Sequence, residues 1–250
     1  MPLRRHTESC CERSSPAMPT ARMARVKQRD RFVNGEGDAF HPRNRTEPSV
    51  RSQRVAGDPL LAALAELDLR AKSVLEIGSG DGWRLSALRE REQAARYVGI
   101  EPSALALSTS SDAGVCGVRA TADALPLADA SFDLVVFGFC LYLVDRSDLF
   151  RVAAEADRVL CDGGTLVIYD FYSVSPHRRR YAHAEECFSF KMDCAQMFAW
   201  NPTYRVVLER RAWHAASAQT ATRPADGDAE VRVVALRRDV QAGWPTKEDL

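Results

Sequence analysis

A short apolar run at residues 73–77 passes directly into a turn that contains Gly78, Gly80 and Gly82. This pattern predicts a strand, a tight turn and a helix that begins near Trp83. Glycines at such a point let the backbone adopt positive φ and pass close to a ligand. In an open α/β sheet, ligands bind outside the carboxyl ends of the strands, where this turn lies. The turn therefore predicts a nucleotide-like ligand on an α/β fold.

Strands and helices alternate on both sides of this turn. A helix is predicted from Pro59, because apolar residues recur there at helical spacing. Another at 149–160 is predicted to end at Gly163 and Gly164. Near-continuous apolar strands joined by helices favour a doubly wound, mostly parallel sheet covered on both faces. The predicted strands are 73–77, 96–100, 118–122, 134–139 and 165–170.

The alternation stops after Phe171. Residues 171–202 are dense in aromatic residues, histidine, arginine and cysteine without a clear period, and we predict an inserted cap. Two β-rich runs follow at 204–213 and 230–240, with a polar turn at 217–228 between them. They predict an antiparallel C-terminal strand pair at the edge of the sheet.

Composition sets the predicted domain limits. Residues 1–31 hold eight basic residues, three acidic residues and few large apolar ones, so they are predicted to be a disordered basic extension. Residues 32–58 form a lead-in, 59–240 form the α/β domain with the cap, and 241–250 form a tail.

Charge and cysteine usage narrow the class of protein. The 34 basic and 34 acidic residues balance, so no net charge draws the chain to nucleic acid or anionic lipid. The longest apolar stretch, 134–144, is too short for a membrane span. Seven cysteines without a C-x-x-C pair, and no signal-peptide pattern, favour a soluble cytoplasmic protein. The spacing of Cys187 and Cys194 from His177 and His183 matches no common zinc site, so no metal is expected.

The glycine spacing distinguishes between cofactors. A dinucleotide site would carry G-x-G-x-x-G, whereas residues 78–82 read G-x-G-x-G with Glu76 two residues earlier. A carboxylate there is a poor neighbour for a diphosphate and a good one for a cation. The chain also lacks the G-x-x-x-x-G-K-[ST] pattern of ATP and GTP hydrolysis. S-adenosylmethionine has no phosphate and carries a positive sulfonium and amino group, so it fits best.

Two further acids follow the next strands. Glu101 ends the second predicted strand, nineteen residues past Gly82, where an acid can accept both ribose hydroxyls. Asp123 ends the third, where it can accept from the adenine amine while Ala124 and Leu125 pack on the ring. Three acids at three successive strand ends therefore indicate one cofactor site.

Four segments carry a family resemblance: E-I-G-S-G-D-G, G-I-E-P-S, A-D-A-L-P-L-A-D-A-S-F-D-L-V and L-x-D-G-G-T-L-V-I. They resemble the successive motifs of the class I S-adenosylmethionine-dependent methyltransferases, and the chain is most similar to the group that includes the ubiquinone and menaquinone C-methylases. The resemblance covers residues 55–170. It implies a Rossmann-like α/β fold with a seven-stranded sheet, six strands parallel and one antiparallel.

The resemblance also implies residue roles. Gly78 and Gly80 would line the methionine end, Glu101 would hold the ribose, and Asp123 with Ala124 would hold the adenine. The predicted cofactor-binding residues are Glu76, Gly78, Ser79, Gly80, Gly82, Glu101, Pro102, Asp123, Ala124, Phe139 and Cys140.

The segment after the fourth strand departs from the family pattern. Phe139 and Cys140 would lie beside the sulfonium, but many relatives have a histidine in this segment and 138–145 has none. A catalytic base cannot be transferred to it. On the acceptor side we consider Tyr142, Asp170 and the three catalytic candidates, which are Tyr172, His177 and His183.

The leading interpretation is a methyltransferase that acts on a small-molecule or a lipid- or sugar-linked acceptor. A methyl group on a sulfonium is already reactive, so the protein mainly supplies alignment, and a base is needed only if the acceptor must lose a proton. The alternatives are a cofactor-binding module without catalysis and a nicotinamide-dependent oxidoreductase. Nucleic acid is not expected as the acceptor, because Asn201-Pro202 is followed by Thr203 and the D/N-P-P-[YFW] signature is missing.

Overall fold

The computed structural model describes residues 26–45, 51–67, 69–91, 94, 96–110, 114–214 and 229–247. Most of the predicted basic extension and the predicted polar turn at 217–228 lie outside these residues. The strands are β1 (Ser73–Ile77), β2 (Arg96–Glu101), β3 (Val115–Arg119), β4 (Phe132–Gly138), β5 (Leu160–Phe171), β6 (His177–Arg180), β7 (Phe188–Lys191), β8 (Tyr204–Trp213) and β9 (Glu230–Arg238).

In the described part of the chain, seven strands form one sheet in the order β3-β2-β1-β4-β5-β9-β8. β9 runs antiparallel to both of its neighbours, while β1 to β5 pair in parallel. Because β8 and β5 are both antiparallel to β9, six strands share one direction. The predicted α/β fold, mostly parallel with a C-terminal antiparallel pair, is therefore confirmed.

Helices cover both faces of this sheet. Alternate strand residues point to opposite faces, so Leu75 and Val135 join one apolar layer while Val74 and Val136 join the other. The helices are α1 (Gln28–Arg31), α2 (Gly37–Asn44), α3 (Arg51–Ala56), α4 (Pro59–Glu66), α5 (Trp83–Arg91), α6 (Ala104–Ser108), α7 (Leu149–Val159), α8 (Gln196–Ala199) and α9 (Val240–Gly243). The α7 helix packs in the first layer, and α4 and α5 pack in the second.

Helix α4 illustrates how local sequence sets an element. Pro59 occupies its first turn, where no backbone donor is needed. The carboxylate of Asp58 accepts the Leu61 N–H at 2.9 Å and so caps the helix. Its residues Leu60, Leu61 and Leu64 are buried. The structure therefore contains the helix predicted from Pro59, with an N-cap residue and one buried apolar face.

Several predicted boundaries differ from the structure, among them the fourth strand, which is Phe132–Gly138 rather than 134–139. The third strand is Val115–Arg119 rather than 118–122, because Thr121 turns back to bridge Ala124. Helix α7 ends at Val159 and β5 starts at the next residue, so Gly163 lies inside the strand, where it adopts φ +71°. The last strand ends at Arg238 rather than at residue 240. Asp239 caps a short helix at that point, since its carboxylate accepts the Ala242 N–H at 2.8 Å.

The predicted cap contains regular structure. β6 and β7 form an antiparallel hairpin, and α8 follows before β8 begins. The hairpin is short and pairs only with itself, so it leaves little periodic signal in the sequence.

The N-terminal boundary also differs from the composition-based expectation. Residues 26–31, assigned to the disordered extension, include helix α1. Gln28 is 2% exposed; its amide nitrogen donates to the carbonyls of Leu143 at 2.8 Å and Phe188 at 3.1 Å. These contacts are polar, which is why a search for apolar periodicity does not find this segment. No helix in the described residues is long and apolar enough to cross a membrane.

Candidate active site

The glycine turn after β1 is tied to the end of β2. The N–H groups of Gly78 and Ser79 both donate to the carbonyl of Ile100, at 2.8 and 3.1 Å. Gly78 has φ +79°, and a Cβ there would lie 2.6 Å from the Cβ of Cys140. Only glycine fits this position, and it lets the loops after β1 and β4 approach each other.

Glu101, the last residue of β2, is hydrogen-bonded to the same turn. One carboxylate oxygen accepts the Gly80 N–H at 3.0 Å, and the other accepts the Ser103 N–H at 2.9 Å. Burial raises the pKa of Glu101, while the two backbone donors oppose this shift. The carboxylate is thus fixed in orientation beside the glycine turn before any ligand binds.

Asp123, after β3, is already engaged by the N-terminal segment. Its side chain is 5% exposed and forms an ion pair with Arg29 of α1 through Oδ2. Arg151 approaches the same oxygen at 4.0 Å. The neighbouring Ala124 is exposed. The acid expected to face adenine therefore also fastens α1 to the sheet edge.

A buried ion pair lies beneath the glycine turn. Arg84 donates to Asp58 at 3.0 Å and to Oε1 of Glu76 at 3.2 Å. Burial raises the pKa of Glu76 to about 7, against the opposing effect of Arg84. The second oxygen of Glu76, Oε2, has no hydrogen-bond partner among the described residues. A buried acceptor without a donor is costly, so this oxygen fits a ligand that brings a donor or a positive charge.

Phe139 and Cys140 follow β4 in a strained turn. Phe139 has φ +68°, a left-handed conformation that is rare for a bulky residue and that often marks functional sites. The Cys140 thiol donates to the carbonyl of Ile77 at 3.3 Å. Burial raises its pKa well above the usual value, so the thiol stays protonated. Cys140 is thus a small apolar contact and not a nucleophile.

The glycine turn and the loops after β2, β3 and β4 surround one cavity of about 1230 Å³. Drug-sized ligands occupy pockets of about 300 to 1,000 Å³, so this cavity has room for a cofactor and a second molecule. Eight predicted cofactor residues line it: Gly78, Ser79, Gly80, Glu101, Pro102, Asp123, Phe139 and Cys140. Glu76, Gly82 and Ala124 are not among its lining residues. Gly82 instead serves the turn, with φ +76° and its N–H on the carbonyl of Ser79 at 3.0 Å.

The three catalytic candidates separate in space. His183 lines the cavity and packs edge-on against Tyr181. Tyr172 and His177 are not among the described residues that line it. Tyr172 is buried under Arg211, which donates to its hydroxyl at 3.3 Å, and His177 is exposed with Nδ1 on the carbonyl of Ser175. Aromatic and histidine content marks the cap but does not tell which side chains turn inward.

The other two acceptor-side candidates also differ. Tyr142 lines the cavity, whereas Asp170 lies behind it and accepts the N–H groups of Leu141 at 2.7 Å and Phe171 at 2.7 Å. Burial raises the pKa of Asp170 to about 7 against these donors. Asp170 therefore shapes the loop after β4 and does not face the cavity.

Many residues that line the cavity were not predicted from the sequence, among them Arg54, Lys191 and His214. Arg54 lies over the ring of Trp83 at 4.2 Å, at the start of the helix that follows the glycine turn. Lys191 lies over the ring of Phe171, and His214 lies beside Phe139. His214 stacks on Phe139 with ring centroids 5.0 Å apart. No local motif marks these positions, because they reach the site through long-range packing of α3, β7 and β8.

Comparison with known proteins agrees with this geometry. Residues 75–168 match the family model of a methyltransferase domain. A malonyl-[acyl-carrier protein] O-methyltransferase of Coxiella burnetii is 30% identical over 152 residues, 60% of this chain and 51% of that protein. A ubiquinone/menaquinone biosynthesis C-methyltransferase of Rhizobium etli is 31% identical over 135 residues, 50% of this chain and 52% of that protein. The chain spans about half the length of these curated relatives.

A solved structure shares the fold. The Burkholderia thailandensis 1,6-didemethyltoxoflavin-N1-methyltransferase superposes with a TM-score of 0.58 at 20% identity, covering 84% of this chain and 87% of that chain. That crystal structure contains its acceptor and S-adenosylhomocysteine. The match of residues 75–168 to the methyltransferase domain model confirms the resemblance that the motifs indicate, and the solved structure shows the shared fold.

Proposed function

We propose that this chain, whose residues 75–168 match the methyltransferase domain family, transfers a methyl group from S-adenosylmethionine to a small-molecule acceptor. The observation that carries the proposal is the acid beneath the glycine turn. Glu76 is 1% exposed and keeps one oxygen without a partner among the described residues. That oxygen would repel a diphosphate and would attract a cationic amino group. It thus favours a phosphate-free, positively charged cofactor over a nicotinamide dinucleotide.

The methionine end of the cofactor is a zwitterion, and both charges find a counterpart near the turn. Glu76 does not itself line the cavity, but its partner Arg84 does, so the negative charge of Glu76 would favour the amino group from directly behind the lining. Arg54 lines the cavity over Trp83, and burial lowers its pKa, as does the charge of Arg84. Asp81, Asp58 and Glu76 act in the opposite direction, so the positive charge of Arg54 is held beside the glycine turn. We assign the cofactor carboxylate to Arg54.

The nucleoside end fits the acids at the next two strand ends. The Glu101 carboxylate is oriented by Gly80 and Ser103, and the remaining lone pairs of both oxygens can accept the two ribose hydroxyls. Arg29 and Arg151 approach Oδ2 of Asp123. We therefore assign Oδ1 to the adenine amine. In this arrangement Arg29 orients the acid as well as anchoring α1.

When bound, the cofactor supplies an electrophilic methyl group on a sulfonium. Phe139 and Cys140, in the strained turn after β4, would pack beside that sulfonium and exclude water from it. The Phe139 ring packs against the Phe171 ring with centroids 4.7 Å apart, which continues the apolar wall toward the acceptor side. The chain thereby aligns donor and acceptor, which is the main requirement of this reaction.

The class of acceptor is proposed from the relatives and the site together. The curated relatives act, by their names, on an acyl carrier protein-linked malonyl group and in quinone biosynthesis. Both suggest an acceptor that is small, or a small group on a lipid or carrier. The aromatic wall of Phe139, Tyr142 and Phe171 suits the apolar part of such a molecule.

Calorimetric titration of the purified chain tests the proposal directly. We expect S-adenosylhomocysteine to bind with a dissociation constant in the range of about 1 to 100 µM, which corresponds to roughly 5 to 8 kcal/mol. NADH serves as the matched control, because it shares the adenosine but brings a diphosphate. A measurable heat of binding with NADH, and none with S-adenosylhomocysteine, would contradict the proposal.

A further inference from the structure

A histidine at the end of β8 belongs to the cavity wall. His214 follows the last residue of β8, is half-buried and lines the cavity. Its backbone N–H donates to the carbonyl of Ala229 at 2.8 Å, which fixes the chain at this point. Within the described residues, no hydrogen bond engages either nitrogen of its ring. An imidazole in this state can accept a proton from a bound molecule.

His214 lies close to the place assigned to the reacting methyl group. Its ring stacks on Phe139, with centroids 5.0 Å apart and an angle of 21° between the planes. It also contacts Phe171, with centroids 5.4 Å apart. Because Phe139 is the residue assigned to flank the sulfonium, one aromatic ring separates the imidazole from that place. An acceptor group that contacts His214 would therefore be near the methyl group.

Tyr142 lies on the same two phenylalanine rings. Its centroid is 5.2 Å from that of Phe139 and 5.2 Å from that of Phe171, and it also lines the cavity. Its hydroxyl has no hydrogen bond to any described residue. Burial raises the pKa of Tyr142 well above the usual value, so this hydroxyl stays protonated and can donate. Tyr142 and His214 thus offer a donor and an acceptor beside one aromatic wall.

The surroundings of His214 keep its ring neutral. Burial lowers its pKa, and the charge of Lys191 on β7 lowers it further. Asp170 on β5 interacts electrostatically with Lys191, so the two charges oppose each other. At the ends of β8 and β9, Arg211 and Glu230 form an ion pair at 3.4 Å. The imidazole is therefore unprotonated at neutral pH, which is the form that a general base requires.

Other titratable groups of the lining are less suited to accept a proton there. The Cys140 thiol is kept protonated by burial, which raises its pKa well above the usual value. His41 is engaged by the Thr109 hydroxyl, 2.9 Å from its Nε2. His183 is exposed and packs edge-on against Tyr181. Neither of these two histidines has a ring contact with Phe139 or Phe171 in the described part of the chain.

We propose that the acceptor carries a phenolic hydroxyl that donates to His214 and accepts from Tyr142, and that His214 removes its proton during methyl transfer. The acceptor oxygen bonds to the methyl carbon, the bond from that carbon to sulfur breaks, and its electron pair stays on sulfur. The hydroxyl proton moves to His214, so the positive charge passes from the sulfonium to the imidazolium. The imidazolium then releases the proton to water, and the product is a methyl ether. This inference rests on the proposed methyl transfer and adds the acceptor group and its base.

Acidity and shape favour a phenol over an aliphatic alcohol. A phenol has a pKa of about 10, whereas an alcohol is about as weak an acid as water, with a pKa of about 15.7. A histidine is a more effective base toward the stronger of these two acids. The rings of Phe139, Tyr142, Phe171 and His214 also suit a planar aromatic acceptor.

The test uses two phenols of different acidity with methyl-labelled S-adenosylmethionine. At about pH 8, para-nitrophenol is largely ionised and para-cresol is neutral, so only the cresol needs a base. We expect both to yield a labelled methyl ether that resists mild base. His214→Gln should lower the turnover of para-cresol at least about 100-fold and that of para-nitrophenol less than about tenfold. Its affinity for S-adenosylhomocysteine should not change.

Two further variants make the test specific. Tyr142→Phe should lower the turnover of both phenols by a similar factor of about tenfold, because its hydroxyl orients the oxygen whether or not that oxygen is ionised. Arg210→Gln is the matched control for His214→Gln. Arg210 is exposed on the same strand, pairs with Glu66 and lies outside the cavity lining, so we expect unchanged turnover.

The outcomes separate this inference from the proposed function. If S-adenosylhomocysteine binds but neither phenol is methylated, the acceptor assignment is wrong and the methyltransferase proposal stands. Equal losses for the two phenols in His214→Gln would show that His214 is not the base. Sodium benzoate as the sole labelled acceptor, with methanol released by mild base, would also overturn the inference. A protein that does not bind S-adenosylhomocysteine would contradict the proposed function itself.

Discussion

Gly138→Ala is expected to cause the largest loss of stability of any single methyl addition near the site. A Cβ at residue 138 would overlap Oε1 of Glu76 and lie 2.9 Å from its Cδ. Glu76 cannot withdraw, because it is 1% exposed and bound to Arg84, whose side chain is 11% exposed. Overpacking costs about 1 to 3 kcal/mol, and breaking a buried ion pair costs about 3 to 5 kcal/mol. We expect a decrease of roughly 3 to 5 kcal/mol in the free energy of unfolding, measured by urea denaturation.

Gly117→Ala provides the matched control. Gly117 is exposed on β3 at the edge of the sheet, and a Cβ there would meet Cδ2 of Leu107 at 2.7 Å. That atom is the end of a flexible side chain, which can move aside, so we expect a change under about 1 kcal/mol. Equal stability losses in the two variants would show that the packing of Glu76 against the β4 backbone is not the cause.

Most of the residues predicted to bind the cofactor line one cavity, and they could be placed together from the sequence because the determinants of their positions are local. A glycine turn after a strand, and acids at successive strand ends, are patterns within a few residues of each other. The parallel sheet then brings these strand ends together, so Glu101 meets Gly80 although 21 residues separate them. The sequence could not show which basic residue pairs with each acid. Only the fold shows that Arg84 takes one oxygen of Glu76 and that Arg29 takes Asp123.

The acceptor half could not be predicted in the same way. Lys191 reaches the cavity because the β6–β7 hairpin folds over the strand ends, and His214 reaches it at the end of a long edge strand. Composition drew attention to Tyr172 and His177, but neither lines the cavity, whereas Lys191, the register partner of His177 in the hairpin, does.

The N-terminal segment shows a third limit of sequence reasoning. Its contribution is polar: Asp38 accepts the Ser103 hydroxyl at 2.6 Å and the Leu105 N–H at 3.0 Å, which ties α2 to the start of α6. Arg29, Phe32 and nearby residues then form one wall of the cavity. Hydrogen bonds of this kind leave no hydrophobic period, so composition assigned residues 1–31 to an extension and 32–58 to a lead-in outside the α/β domain.

Glu101→Gln is expected to weaken binding of S-adenosylhomocysteine by about 10- to 100-fold, which corresponds to roughly 1.4 to 3 kcal/mol. The carboxylate accepts from Gly80 and from Ser103 through different oxygens, and both oxygens would also have to accept a ribose hydroxyl. An amide keeps one oxygen and turns the other position into a donor, so its NH₂ group would face a backbone N–H. The substitution therefore removes one ribose acceptor and loosens the glycine turn at the same time.

Calorimetry should be paired with thermal unfolding of the same variant. A loosened glycine turn would lower the melting temperature, whereas a lost ligand contact would lower only the affinity. Glu90→Gln is the matched control, since Glu90 is exposed on α5, the helix that follows the turn, and lies outside the cavity lining. We expect Glu90→Gln to leave the affinity unchanged and Glu101→Gln to reduce it with a melting temperature within a few degrees of the unaltered protein. Unchanged affinity in Glu101→Gln would mean that the ribose is held elsewhere. If both carboxylate oxygens accept ribose hydroxyls, replacing one of them by an NH₂ group must lower the affinity.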